Sequence, residues 1–166
     1  YNNSAWDGNN PAPNALDDAA VASDKRPLLP GQIASFANYT TFHHGINGLM
    51  VDIVGGLGGA PSSSDFQFRV GNGANLLTWS IAPPPSSITV RPGAGVGGSD
   101  PITIIWPDGA IRNQWLEVRV LANNITRLPS PKVFYFGNAI GDSGNSSLNA
   151  QVDVSDENLA RENPRN

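Results

Sequence analysis

The sequence predicts an all-β fold, a two-sheet antiparallel sandwich of the immunoglobulin-like or jelly-roll type, on three observations. Gly and Pro supply 18 and 14 of the 166 residues, which marks frequent turns. Eight short apolar or alternating segments lie between those turns. No sustained 3.6-residue period runs through the middle of the chain.

The N-terminal residues Tyr1, Asn2, Asn3, Ser4, Ala5 and Trp6 carry aromatics at both ends and precede the turn signal Asp7-Gly8. Residues 1–8 therefore read as a short strand. Residues 9–30 are rich in Ala, Asn, Asp and Pro and read as a linker, with one helical turn around Leu16 to Val21.

The sandwich is expected over residues 31–140. In 32–39, Ile33 and Phe36 are expected to face inward; in 46–54, Leu49, Val51 and Ile53 share one side while Met50 and Asp52 share the other. The cleanest alternation is 65–70, with Phe66, Phe68 and Val70 opposite Gln67 and Arg69. Further strands are predicted at 76–81, 87–90, 102–106, 115–121 and 132–136, separated by turn clusters such as Pro83-Pro84-Pro85, Pro92-Gly93 and Pro107-Asp108-Gly109.

Charge narrows the partners. Fourteen acidic against ten basic residues give a net charge of −4, and the scattered Lys and Arg offer no patch for neutralising phosphates, so nucleic acid is not expected as a partner. No apolar run approaches the length of a membrane span and the first residue is Tyr1, so neither membrane insertion nor a signal peptide is expected, and the chain reads as a processed or excised piece. With no cysteine, disulfides and thiol chemistry are excluded. Abundant Asn, Ser, Thr and Gly beside few Lys favour an extracellular location.

Catalytic signals are weak. The adjacent His43 and His44 would face opposite sides of a strand, and no nucleophile elbow, P-loop or His-x-x-x-His occurs. The protein is accordingly expected not to be an enzyme. Four Asn-x-Ser/Thr sequons begin at Asn2, Asn38, Asn124 and Asn145. Of the four tryptophans, two or three are expected inside, and Trp79, Trp106 and Trp115 are the candidates for stacking against a sugar ring.

The segment 141–166 carries a calcium-loop pattern. With Asn145 at position 1, oxygen-bearing side chains fall at 3 (Ser147), 5 (Asn149), 9 (Asp153) and 12 (Asp156), and Gln151 offers its carbonyl at 7. Ala150 replaces the usual Gly at position 6. Ser155-Asp156 would cap a helix through Glu157, Leu159 and Ala160. The alternative is a polar turn followed by a capped helix, without metal.

Residues 141–161, above all Val152-Asp153-Val154-Ser155-Asp156 with Leu159-Ala160-Arg161, resemble the first half of a dockerin-like calcium repeat, without its second loop. The stretches 1–4, 29–32, 36–40, 45–53, 91–97 and 133–142 are similar to those of an uncharacterised β-sandwich module that precedes such repeats in large secreted proteins of planctomycete-type bacteria. That resemblance implies calcium as cofactor and a place on the bacterial cell surface.

The leading expectation is a structural subunit of a surface fibre or pilus-like assembly, self-associating by donation of the strand Tyr1 to Trp6 into a neighbour's sandwich. The alternative is a carbohydrate-binding or adhesive module of a larger secreted protein, with polysaccharide as partner.

Overall fold

The computed structural model describes residues 1–146, 150 and 152–162. The alternating segments become strands: β1 (Tyr39–Thr40), β2 (Gly48–Ile53), β3 (Phe66–Gly71), β4 (Ser80–Ile81), β5 (Ser87–Val90), β6 (Asp100–Ile105), β7 (Trp115–Val120) and β8 (Lys132–Asn138). A short helix α1 (Val154–Glu162) follows. Five strands form one sheet in the order β1-β8-β7-β3-β4 and three form the other in the order β2-β6-β5. The pairings are antiparallel except β1 with β8, which is parallel.

Period-two patterning decides which face is buried. On the larger sheet Phe66, Phe68, Val70, Leu116, Val118, Val120, Phe134 and Phe136 turn inward; from the smaller one come Leu49, Val51, Ile53, Ile102 and Ile104. Trp106, at the end of β6, closes this core and donates its indole N–H to Pro83 O at 2.9 Å. That bond satisfies the ring's one polar atom in a site where it is only 1% exposed. β6 is buried along its whole length because it is the central strand of its sheet and is covered on both faces.

Three expectations change. Residues 1–6 are not a strand: the first nine residues fold into turns, because the Asp7 carboxylate accepts the backbone N–H groups of Asn3, Ser4 and Asn10 and so bends the chain around itself. Most of 32–39 is not strand either. Ser35 N donates to Asn38 Oδ1 at 2.8 Å, closing a 3-10 turn over Phe36–Asn38, so only Tyr39–Thr40 pairs, and Ile33 stands 93% exposed with Phe36 also outside the core. Likewise Asn75 Oδ1 accepts Leu77 N and turns 76–78 into a 3-10 segment, leaving two residues of strand in β4.

The helical turn in the linker is present as a 3-10 helix over Ala15–Ala20, capped reciprocally by Asn14 and Asp17. The cap of the C-terminal helix lies two residues earlier than expected. Asp153 Oδ1 accepts Ser155 N at 2.7 Å and Asp153 N donates to Asp156 Oδ2 at 2.8 Å, a capping box built on Asp153 rather than on Ser155.

Candidate functional site

The two sheets leave a seam on the side where β2 and β1 are edge strands. Residues 1–22 lie across this seam. Their attachment is polar and specific: Asn47 Nδ2 donates to Asn2 O at 2.6 Å and to Asp108 Oδ1 at 2.7 Å, Asn3 Nδ2 donates to Asp108 Oδ2 at 2.9 Å, and the Tyr1 ring packs edge-on against Phe42. Arg91, just past β5, forms an ion pair with Asp18. A Cβ at Gly48 would stand 3.0 Å from the Asn2 Cβ, so the close approach of the covering segment to β2 depends on glycine there or on a shift of Asn2.

Beneath this covering is a cavity of about 180 Å³. Its walls are Gly48, Leu49 and Met50 of β2, Thr103 and Ile105 of β6, Tyr39, Phe136 and Gly137 from the opposite sheet, and Tyr1, Asn2, Asp17 and Ala20 of the covering segment. The volume resembles that of a cavity that accommodates a benzene ring, about 150 Å³, so one aromatic or aliphatic side chain fills it. Two polar atoms at its margin are buried without a partner: Asn2 Oδ1 and Asp17 Oδ1, on residues 7% and 6% exposed. Burial pushes the Asp17 carboxyl above the usual carboxylate range, against the opposing hydrogen bond from Asn14 N.

Other buried carboxylates take up backbone amides. Asp65 accepts Ser62 N and Asn123 Nδ2, and Asp100 accepts Leu57 N and Gly93 N, which holds its pKa below the ordinary value. Each ties a loop to the end of a strand. His43 and His44 sit in a turn that brings their rings to 3.9 Å, and His44 Nδ1 is 2.9 Å from Asp108 Oδ2. Asp108 is shared with Asn3 and Asn47, so this pair belongs to the attachment of the N-terminal segment.

The predicted site residues disperse. Tyr1 and Asn2 reach the cavity, whereas Trp6 projects outward and is 69% exposed. Of the proposed sugar-stacking residues, Trp106 lies in the core and Trp79 is buried against Gly71 and Tyr135. Trp115 alone of the three is half-buried, on the outer face of the larger sheet. Two sequons, at Asn2 and Asn38, are buried, and Asn124 is exposed.

Of the calcium-loop residues, Ser147, Asn149 and Gln151 lie outside the described residues. Asn145 is exposed; Asp153 caps α1; Asp156 is buried and accepts Ser143 N at 2.7 Å and Ser143 Oγ at 2.6 Å. These bonds hold its carboxyl below the usual range. Among the described residues no cluster of three His, Cys, Asp or Glu converges, and no helix is long and apolar enough to cross a membrane.

The capping signals Asn14-x-x-Asp17, Ser35-x-x-Asn38 and Ser62-x-x-Asp65 were the readable clue to the covering segment and its neighbouring turns. Searches of protein-family models, curated proteins and solved structures return no match to this chain.

Proposed function

We propose that this protein is a non-enzymatic structural module of an extracellular bacterial assembly, joined to its neighbours by an extended segment that pairs along the free edge of β2. The observation carrying this reading is the apolar cavity that runs beside that edge, beneath the N-terminal covering segment. An incoming strand gains main-chain hydrogen bonds from β2 and buries one or two side chains where the cavity now lies. The unpartnered oxygens of Asn2 and Asp17 at the margin gain donors at the same time.

The donor is a segment of a neighbouring module. The protein's own residues 1–6 are bent by Asp7 and close one end of the seam in cis. The sandwich is of the immunoglobulin-like type in this reading. Strands two, five and six in one sheet, with three, four, seven and eight in the other, follow the division of that fold into its two sheets. The extracellular setting rests on the composition, and a non-catalytic role on the way backbone amides take up the buried carboxylates. Calcium at 145–156 enters as a stabiliser of the C-terminal segment.

The test is sedimentation velocity and negative-stain electron microscopy over a wide concentration range, beside Met50→Lys. A lysine on an edge strand opposes pairing with another strand. Concentration-dependent oligomers or filaments from the parent chain and monomers from the variant are expected. Monomers from both, or equal assembly of both, defeat the reading.

A further inference from the structure

The outer face of the five-stranded sheet carries a second concavity, a cleft of about 480 Å³ lined by Trp115, Asn72, Asn113, Asn138, Tyr39 and Val152 among others. It lies where the connections before β7 and after β3 and β8 meet. Its size falls in the range of small-molecule sites, roughly 300–1,000 Å³. Among the described residues that line it, none is Lys, Arg, Asp or Glu. Neither an anion nor a cation finds a counter-charge there.

Asn113 is the fixed point of the cleft. Its backbone N–H donates to Asn138 Oδ1 at 3.0 Å, its Oδ1 accepts Ile140 N at 2.9 Å, and its carbonyl accepts Asn72 Nδ2 at 2.9 Å. Two chain segments, at Asn72 and at 138–140, therefore hold one residue, which stands in the left-handed region at φ 52°. Asparagine tolerates that conformation better than most residues. After these bonds the described hydrogen-bond network leaves Asn113 Nδ2 and Trp115 Nε1 as donors and Asn72 Oδ1 as an acceptor, on three residues that line the same cleft.

An aromatic face flanked by a rigid donor and acceptor, with no formal charge, is chemistry matched to a sugar ring. The ring's C–H face packs on the indole and its hydroxyls both donate and accept. An apolar ligand would leave the amides unpaired, and a charged one would be desolvated without compensation. We propose that this cleft binds a neutral saccharide, with one pyranose stacked on Trp115 and its hydroxyls bonded to Asn72 Oδ1 and Asn113 Nδ2. Because Asn113 is already held by its three bonds, little ordering is required when the sugar arrives. The cleft shares Tyr39 and Gly137 with the walls of the seam cavity, but Asn72, Asn113 and Trp115 do not line that cavity, so this inference does not depend on strand pairing there.

The experiment is a titration of the isotope-labelled full chain with cellohexaose, xylohexaose, mannohexaose and chitohexaose, followed by amide and indole N–H resonances, with trigalacturonate as the charged comparison. Saturable shifts at the Trp115 indole and the Asn72 and Asn113 side-chain amides are expected with at least one neutral oligosaccharide and not with trigalacturonate. Trp115→Ala should weaken that binding at least tenfold. Asn72→Ala, at an exposed position, should do the same with the melting temperature unchanged, while Trp6→Ala should leave binding unchanged. Absence of saturable shifts with all four neutral probes, binding that survives the Asn72 substitution, or equal binding of trigalacturonate overturns the proposal.

Discussion

The indole of Trp115 lies on Gly137: a Cβ added at residue 137 would stand 3.2 Å from two of the ring carbons and 2.8 Å from the Tyr39 Cβ. The two residues face each other across the β7–β8 ladder. Gly137→Ala therefore overpacks the outer face and should cost about 1–3 kcal/mol. Urea unfolding gives the number, and an unchanged midpoint would show that the ring slides aside freely.

Asp7, fully buried, holds the first turn together through the N–H groups of Asn3, Ser4 and Asn10. Asp7→Ala leaves those donors without their acceptor and should destabilise the segment by about 1–3 kcal/mol. Hydrogen exchange should accelerate across residues 1–20 and at the β2 edge, while β3 and β7 keep their protection. Uniform acceleration over the whole chain would mean that the covering segment and the sandwich unfold as one unit.

Acid should act on the protein with two opposite signs. Asp100 is held low by the Gly93 and Leu57 amides, and Asp156 by the Ser143 hydroxyl and amide. Their contributions are complete above the ordinary value of 3.8 and are lost as pH falls through the lower folded values. Asp17 is raised by burial, so its charge opposes folding above its raised value and that opposition is relieved on acidification. Stability measured against pH should fall steeply only below the ordinary value, and Asp17→Asn should gain most over the parent near neutrality. A parent-like profile for this variant would mean that the Asp17 charge is compensated.

Alkali should act through Tyr39. Its hydroxyl donates to Asp142 Oδ2 at 3.2 Å, and burial, with the Asp142 charge, pushes its pKa up to about 12. The folded protein keeps this proton when the unfolded chain has lost it. The contribution is therefore intact below the ordinary value of 10.0 and disappears as pH rises towards the folded value. Tyr39→Phe should flatten the alkaline limb of the stability profile, and an unaltered limb would assign the loss to another group.

Helix α1 exposes Val154 and Leu159 and is tied back through Asp156 to Ser143. Removing its cap with Asp153→Ala should cost about 0.5–2 kcal/mol of local stability. Amide exchange in 154–162 should quicken while the melting temperature of the sandwich stays constant. A matching drop in melting temperature would instead couple α1 to the core.

Alternation made the sandwich readable. Phe66, Phe68 and Val70 identify β3 and its inward face because period-two burial leaves little freedom of register. The turns were less legible, because Ser35, Ser62 and Asn75 offer the backbone local partners that compete with strand pairing, and apolar content alone does not report that competition. At the N-terminus Tyr1 and Trp6 suggested a strand, but Asp7 determined the outcome. The seam could not be foreseen at all: its cavity draws on residues from 1 to 137, brought together only by the order of strands in the two sheets. Trp79 and Trp115 each lie on a glycine of the larger sheet, Gly71 and Gly137, yet only Trp79 is buried.

The parallel pairing of β1 with β8 has a mechanical consequence. Tyr39–Thr40 and Gly137–Asn138 lie side by side and point the same way, reinforced by the Leu28–Tyr135 bridge, by Ala139 N to Thr40 O, and by the Asn138 side chain bonded to Thr40 O and Phe42 O. Tension drawn from the N-terminal side of β1 and the C-terminal side of β8 pulls these strands along their lengths. The cross-links then resist together rather than opening one at a time like a zipper. A module loaded in this way should yield at a higher force than one gripped across the antiparallel β3–β4 edge.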